Sequence, residues 1–258
     1  MFHFTFSCNC LILVTPLIFS MERKMKKILI IIATMMSLSI HSQEGRYAMH
    51  AFYFIDVSNP VAVVGALDEF AASECGKKLP ADIGLMAEGI NGSASSTHFI
   101  IVSYETMDDF TKAGALTQSC PEAAKMLQGL ASGSEAISEV GIIPAIEVGD
   151  WTQDTVFMKY DISTSNEAAY ANAWTELMDA STDAGLVSGS YGMNRIFIGN
   201  NEASHFVYIG AQDFATLVDN QNAMTSSSAF AKFSKKVGMV REVLNTSLIL
   251  PVKSWPKQ

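Results

Sequence analysis

The chain has 258 residues, 49% of them hydrophobic, with 17 Lys and Arg against 26 Asp and Glu. Four of the basic residues and one of the acidic ones precede Gln43, so the remaining 216 residues or so carry 13 against 25, a formal charge near −12. That acidity argues against nucleic acid or an anionic membrane as partner, since both would repel it. The apolar share suffices for ordinary packed cores.

The first 43 residues read as leader and secretory signal. Lys26 and Lys27 form a basic start, Ile28 to Ile40 an apolar stretch, and Ser39 to Gln43 a small or polar exit. About 13 apolar residues are too few to span a bilayer, which takes about 20. Ahead of them Met1 to Ser20 is a second apolar segment, read either as lying upstream of a true start at Met21 or Met25, or as a further membrane segment or anchor. The reading is a periplasmic or secreted protein whose mature chain makes no stable membrane insertion.

Beyond the leader the chain repeats itself. His98-Phe99 followed by Ile100, Ile101 and Val102 recurs as His205-Phe206 followed by Val207, Tyr208 and Ile209. A shift of 107 aligns Ala66–Ser103 with Ala173–Gly210 without a gap, with 7 of 38 positions identical and the order of apolar runs and breaks preserved. Nearer the start, Asp56 and Ser58 match Asp161 and Ser163 at a shift of 105, and Trp151 and Trp255 close the two copies. The expected domains are 44–152 and 153–258.

In the first copy, His50 to Asp56 alternates as a strand, and Asn59-Pro60 opens a helix running to about Cys75. Strands follow at Ile83–Asn91 and His98–Tyr104, then a broken helical stretch from Thr106 to about Ser138, then a strand at Ile142–Val148. The second copy follows the same order: strand Thr155–Asp161, helix Asn166–Ala180, strands Gly192–Ile198 and His205–Gly210, a helix from Asp213, and strand Thr246–Val252. The fold class is α+β, βαββαβ twice, the ferredoxin-like arrangement. A sheet with helices on one face leaves its other face apolar, so the copies should pack sheet to sheet.

This order, with the aromatic strand faces Phe52, Phe54, Phe99, Phe157, Phe206 and Tyr208, resembles the dimeric α+β barrel superfamily in tandem form. The resemblance spans most of residues 46 to 256 and is topological. It implies a monomer holding an intramolecular pseudo-dimer. That superfamily includes monooxygenases, haem enzymes, isomerases and proteins without known activity, so the fold leaves the reaction open.

Strand parity proposes what faces the space between the sheets: His50, Phe52, Phe54 and Asp56 with Thr155, Phe157, Lys159 and Asp161; Met86, Glu88 and Ile90 with Met193, Arg195 and Phe197; Phe99, Ile101 and Ser103 with Phe206 and Tyr208. The ligand candidates are His50, Phe52, Glu88, Lys159, Arg195 and Tyr208. Of these, Glu88 and Arg195 hold one repeat position with opposite charge, and either they line an asymmetric pocket or they pair structurally. His98 and His205 point toward the helices and read as structural, as do Asp56 and Asp161 at the strand-to-helix turns. Cys75 and Cys120 are a candidate disulfide in an oxidising compartment; two buried thiols are the alternative.

No metal centre and no cofactor is expected, although a single-histidine haem site at His50 stays open. Three functions compete: an exported protein binding a small apolar or amphipathic molecule between the sheets, a monooxygenase- or isomerase-like enzyme with His50 or Glu88 as base, and an interaction module with a packed interior.

Overall fold

The computed structural model describes residues 46–200 and 202–258; the leader lies outside them. The first copy supplies β1 (Met49–Val57), α1 (Pro60–Ala72), β2 (Asp82–Ile90), β3 (His98–Tyr104), α2 (Met107–Ser119), α3 (Pro121–Gly133) and β4 (Ser134–Val148). The second supplies β5 (Val156–Thr164), α4 (Glu167–Asp183), β6 (Tyr191–Ile198), β7 (His205–Ala211), α5 (Phe214–Thr225), α6 (Ser228–Val237) and β8 (Arg241–Trp255).

Local chemistry starts the helices at matching places. Asn59 and Asn166 accept from backbone N–H groups of the first turns of α1 and α4, Thr106 and Asp213 do the same for α2 and α5, and Ser227 caps α6. All three cap positions recur at a shift of 107, with Cys120 standing where the second copy has Ser227. Gly92 and Gly199, at φ +66° and +94°, turn the β2–β3 and β6–β7 hairpins.

The strands close into one eight-stranded antiparallel barrel in the order β1-β3-β2-β8-β5-β7-β6-β4. Closure depends on the fourth strands, each 15 residues long. The first part of β4 pairs with β1 of its own copy, and the part from Gly141 to Val148 pairs with β6 of the other. By the same rule β8 pairs with β5 and then with β2. Ser134–Ser138, expected as helix, is therefore strand: pairing with β1 along Phe54–Val57 outweighs local helical preference. The segment Arg241–Asn245 is likewise strand.

Strand pairing fixes the true repeat. Met49 opposes Tyr104 and Val156 opposes Ala211, so the first strands also match at a shift of 107 rather than 105. His50 is then equivalent to Phe157, Phe52 to Lys159 and Phe54 to Asp161. One strand departs from this offset. Met86 lies opposite Phe99, but Asn194, not Met193, lies opposite Phe206. A slip of one residue reverses the faces of a strand, so Met193 packs among the second copy's helices while Asn194 and Ile196 face the barrel interior.

Apolar burial divides into three clusters: one under the helices of each copy and one inside the barrel around Phe52, Phe99, Phe157 and Phe206. The two tryptophans are not equivalent. Trp255 lies within β8 and donates from Nε1 to Asp68 Oδ1 of α1 at 2.8 Å, crossing between copies; Trp151 sits in the turn after β4 and lines the interior. No helix among the described residues is long and apolar enough to cross a membrane.

Cys75 and Cys120 are bonded in the structure, with Cα atoms 6.4 Å apart and a sequence separation of 45. The bond ties the turn after α1 to the α2–α3 junction. In the chain-entropy account, closing such a loop contributes about 4 kcal/mol. The paired substitution Cys75→Ser with Cys120→Ser should lower the unfolding free energy by about that amount in urea denaturation, and adding a reductant should bring the wild-type protein to the same value.

Candidate functional site

Eight strands leave a barrel interior that side chains nearly fill. What remains is a cavity of about 70 Å³ whose lining includes His50, Phe52, Glu147, Trp151, Asn194, Lys159 and Tyr208. One water needs about 10–15 Å³ of such space, so the cavity admits a few heavy atoms and has no room for a haem. The His50 ring is buried, with Nδ1 2.8 Å from Ser103 Oγ and Nε2 3.8 Å from Glu147 Oε1. It cannot serve as the axial ligand of a macrocycle in that space.

A rung of directly opposed residues runs halfway round the wall. Glu147 of β4 opposes Gly192 of β6, Gly192 opposes Tyr208 of β7, Tyr208 opposes Lys159 of β5, and Lys159 opposes Ser247 of β8. Gly192 opens a gap in the rung, over which the Tyr208 ring leans: a Cβ there would lie 2.6 Å from Tyr208 Cε1. Lys159 Nζ donates to both Asp161 oxygens at 2.6 Å and sits 5.5 Å from the centre of the Phe206 ring. Asp161 thus neutralises a buried ammonium inside the barrel instead of capping a turn. Glu147 Oε2, the Tyr208 hydroxyl and Ser247 Oγ are buried without hydrogen-bond partners among the protein groups.

Glu147 was not among the residues expected here. Counting in twos from Ile142 would send it outward, but the register shifts between Pro144 and Ile146 and turns it inward. A proline inside a strand is the sequence sign of such a bulge, because it cannot donate to the ladder. Pro251 marks the same irregularity in β8.

Of the six expected ligand residues, His50, Phe52, Lys159 and Tyr208 line this cavity. Glu88 stands at the other mouth, accepting from Ser96 Oγ, with its pKa raised by burial. Arg195 is exposed on the outer face because of the β6 slip, so it neither opposes nor pairs with Glu88. His98 and His205 lie beside Thr97 and Ser204 at the strand starts, with His205 Nε2 3.4 Å from Glu167.

A second cavity, of about 500 Å³, lies in the first copy between the sheet and α1, α2 and α3. The matching place in the second copy keeps a cavity of only about 10 Å³, because larger side chains fill several of the matching positions. At a shift of 107, Val63, Leu67, Thr117, Ala123 and Met126 stand where the second copy has Tyr170, Trp174, Met224, Phe230 and Phe233, and these larger residues pack into its helical core. Gly114 replaces Gln221, whose amide donates to the Tyr160 hydroxyl at 2.8 Å. A Cβ at Gly114 would meet nothing within 4 Å, and Tyr53, the counterpart of Tyr160, faces the cavity instead. Burial raises the pKa of Tyr53 and Tyr104, with Glu139 adding to the effect on Tyr53. The rim carries Phe110 and Leu127, 43% and 59% exposed.

No family model and no curated protein matches the chain. Among solved structures it is similar to candidate monooxygenases from Lactobacillus acidophilus (9% identity, TM-score 0.50, covering 80% of this chain and 100% of that one) and Fusobacterium nucleatum (10%, 0.53, 83% and 96%). It is also similar to an anthrone oxidase-like protein (10%, 0.54, 83% and 94%). At such identity the likeness is one of fold. The chain has the dimeric α+β barrel fold, with both ferredoxin-like units in one polypeptide.

Burial shifts the two titratable groups near Trp151 in opposite directions. Desolvation pushes Glu147 up to about 7 from 4.5 and His50 down to about 4 from 6.5. The Glu147 contribution to stability is complete below about pH 4.5 and is lost as pH rises to about 7; a displacement of that size corresponds to about 3 kcal/mol. The His50 contribution runs the other way, complete above 6.5 and lost as pH falls to about 4. In denaturation curves from pH 4 to 8, Glu147→Gln should therefore gain on the wild type between about 4.5 and 7, by up to about 3 kcal/mol, and run parallel above. A difference that does not change with pH would contradict the assignment.

Proposed function

We propose that this protein binds a small apolar or amphipathic molecule, and that the volume serving it is the cavity under the helices of the first copy rather than the space between the sheets. The observation that carries this reading is the paired asymmetry of the copies. The same fold, with its first two helices capped at matching positions in each copy, fills the space with Tyr170, Trp174, Phe230 and Phe233 in one half and leaves about 500 Å³ in the other. Counted as a closed void at about 24 cal/mol per Å³, that volume would cancel a domain's whole stability of roughly 5–15 kcal/mol. It has to be open or occupied, and its apolar lining favours an apolar occupant over water.

The Tyr53 hydroxyl, deprived of the glutamine that holds Tyr160, is suited to orient a polar edge of the ligand. The leader and the Cys75–Cys120 bond support export to an oxidising compartment as part of the same reading. A panel of fatty acids and polycyclic aromatics, screened by native mass spectrometry and thermal shift, should yield ligands that raise the melting temperature. The double substitution Ala123→Phe with Met126→Phe, which copies the second half, should weaken their binding at least tenfold while keeping the circular dichroism of the parent. Absence of any ligand, or binding indifferent to the filled cavity, would refute the reading.

A further inference from the structure

The helices over the large cavity are not held equally. At a shift of 107, the cavity-facing residues of α2, Phe110, Ala113, Gly114 and Thr117, match Leu217, Asn220, Gln221 and Met224 of α5, which face the small matching space of the second copy. On α5 three of these four hold the helix to the sheet. Leu217 and Met224 are buried, and the Gln221 amide donates to the Tyr160 hydroxyl. On α2 none of the three does so. Phe110 remains exposed, Gly114 has no side chain, and Thr117 Oγ1 donates back to the Ala113 and Gly114 carbonyls of its own helix. Of the 13 residues of α2 only Ala113 is buried. A mid-helix glycine also lowers the stability of the helix itself, and a segment with so little buried apolar surface opens locally at small cost.

The other two helices are fixed. The backbone N–H groups of Ser58 and Asn59, ahead of α1, both donate to the carbonyl of Gly133 at the end of α3. Gly129 of α3 lies so close to α1 that a Cβ there would be 2.6 Å from the Ala66 Cβ. What secures α2 is at its ends: the reciprocal cap of Thr106 and Asp109 at its start, and Cys120, the single residue between α2 and α3, bonded to Cys75. Phe110 of α2 and Leu127 of α3 line the cavity and are exposed, which puts its mouth between these two helices. There the Phe110 ring meets the Tyr104 ring edge-on, with centroids 5.3 Å apart.

We propose that α2 is the gate of this cavity. It lifts from the sheet on its joints at Thr106 and Cys120, parting Phe110 from Tyr104 to admit the ligand and closing that contact over it. The disulfide confines the movement to α2, because it fixes the start of α3 to the turn after α1. The inference rests on the reading of this cavity as a ligand site, and it adds the route of entry and the element that controls it.

The test has a part that needs no ligand. In hydrogen exchange of the full folded protein followed by mass spectrometry, amides of 107–119 should exchange at least tenfold faster than those of 214–225, the equivalent helix in the same molecule. Gly114→Gln supplies the amide that on α5 holds a tyrosine hydroxyl, here that of Tyr53, and should slow exchange of α2 beyond the effect of Gly114→Ala, which restores helix preference alone. The second part follows entry of an uncharged fluorescent probe, N-phenyl-1-naphthylamine, by stopped flow. Phe110→Ala should speed both association and release at least fivefold, and Gly114→Gln should slow both relative to Gly114→Ala. Equal exchange of α2 and α5, or probe rates that none of these variants changes, would overturn the gate and leave ligand binding standing. Absence of any bound probe in wild type and variants alike would overturn the binding reading, and the gate with it.

Discussion

The hydrogen bonding of β4 and β8 across the two copies is the constraint from which the rest follows. A ferredoxin-like unit alone exposes one apolar sheet face and two sheet edges. Extending each fourth strand to 15 residues lets it complete its own sheet and then pair with the second strand of the other copy, which removes every edge at once. The changeover from one partner to the next falls around Gly141 in β4 and is followed by the irregularity at Pro144. That local break, needed to bend the strand from one sheet into the other, also decides that Glu147 points into the barrel.

Closure separates the molecule into three apolar compartments with different tasks. The barrel interior is narrow and holds a polar rung within an aromatic lining. The helical layer of the second copy is packed solid with tyrosine, tryptophan and phenylalanine. That of the first copy is built from smaller residues on the same backbone plan and is pinned by a disulfide that the second copy lacks. The disulfide offsets part of the packing the first copy forgoes. A duplicated fold thus keeps one half as scaffold and leaves the other free to hold something.

Much of the fold was legible because its signals are local. The caps at Asn59, Asn166, Thr106 and Asp213, the glycine turns, and the alternating aromatic strands declare themselves within a few residues. The faces of β1, β3, β5 and β7 followed from parity alone, which is how His50, Phe52, Lys159 and Tyr208 came to be expected in the lumen. Parity failed where register changes. The single-residue slip of β6 against β7 sent Arg195 outward and brought Asn194 in, and the bulge after Pro144 brought Glu147 in. The slip has no mark in the sequence; the bulge has one, the proline. The repeat offset of the first strand, misplaced by two residues through the resemblance of Asp56 to Asp161, was corrected by strand pairing.

By itself the sequence determined two copies of βαββαβ, an acidic exterior and an aromatic interior, because periodicity and composition are properties of short windows. Only the tertiary structure decided which residues meet. The rung from Glu147 to Ser247 draws on five strands, and the space under the first copy's helices is visible as a difference only when equivalent positions are superposed. Both are sums over long-range pairing and packing, and a shift of one residue in one strand is enough to exchange a lumen side chain for an exposed one.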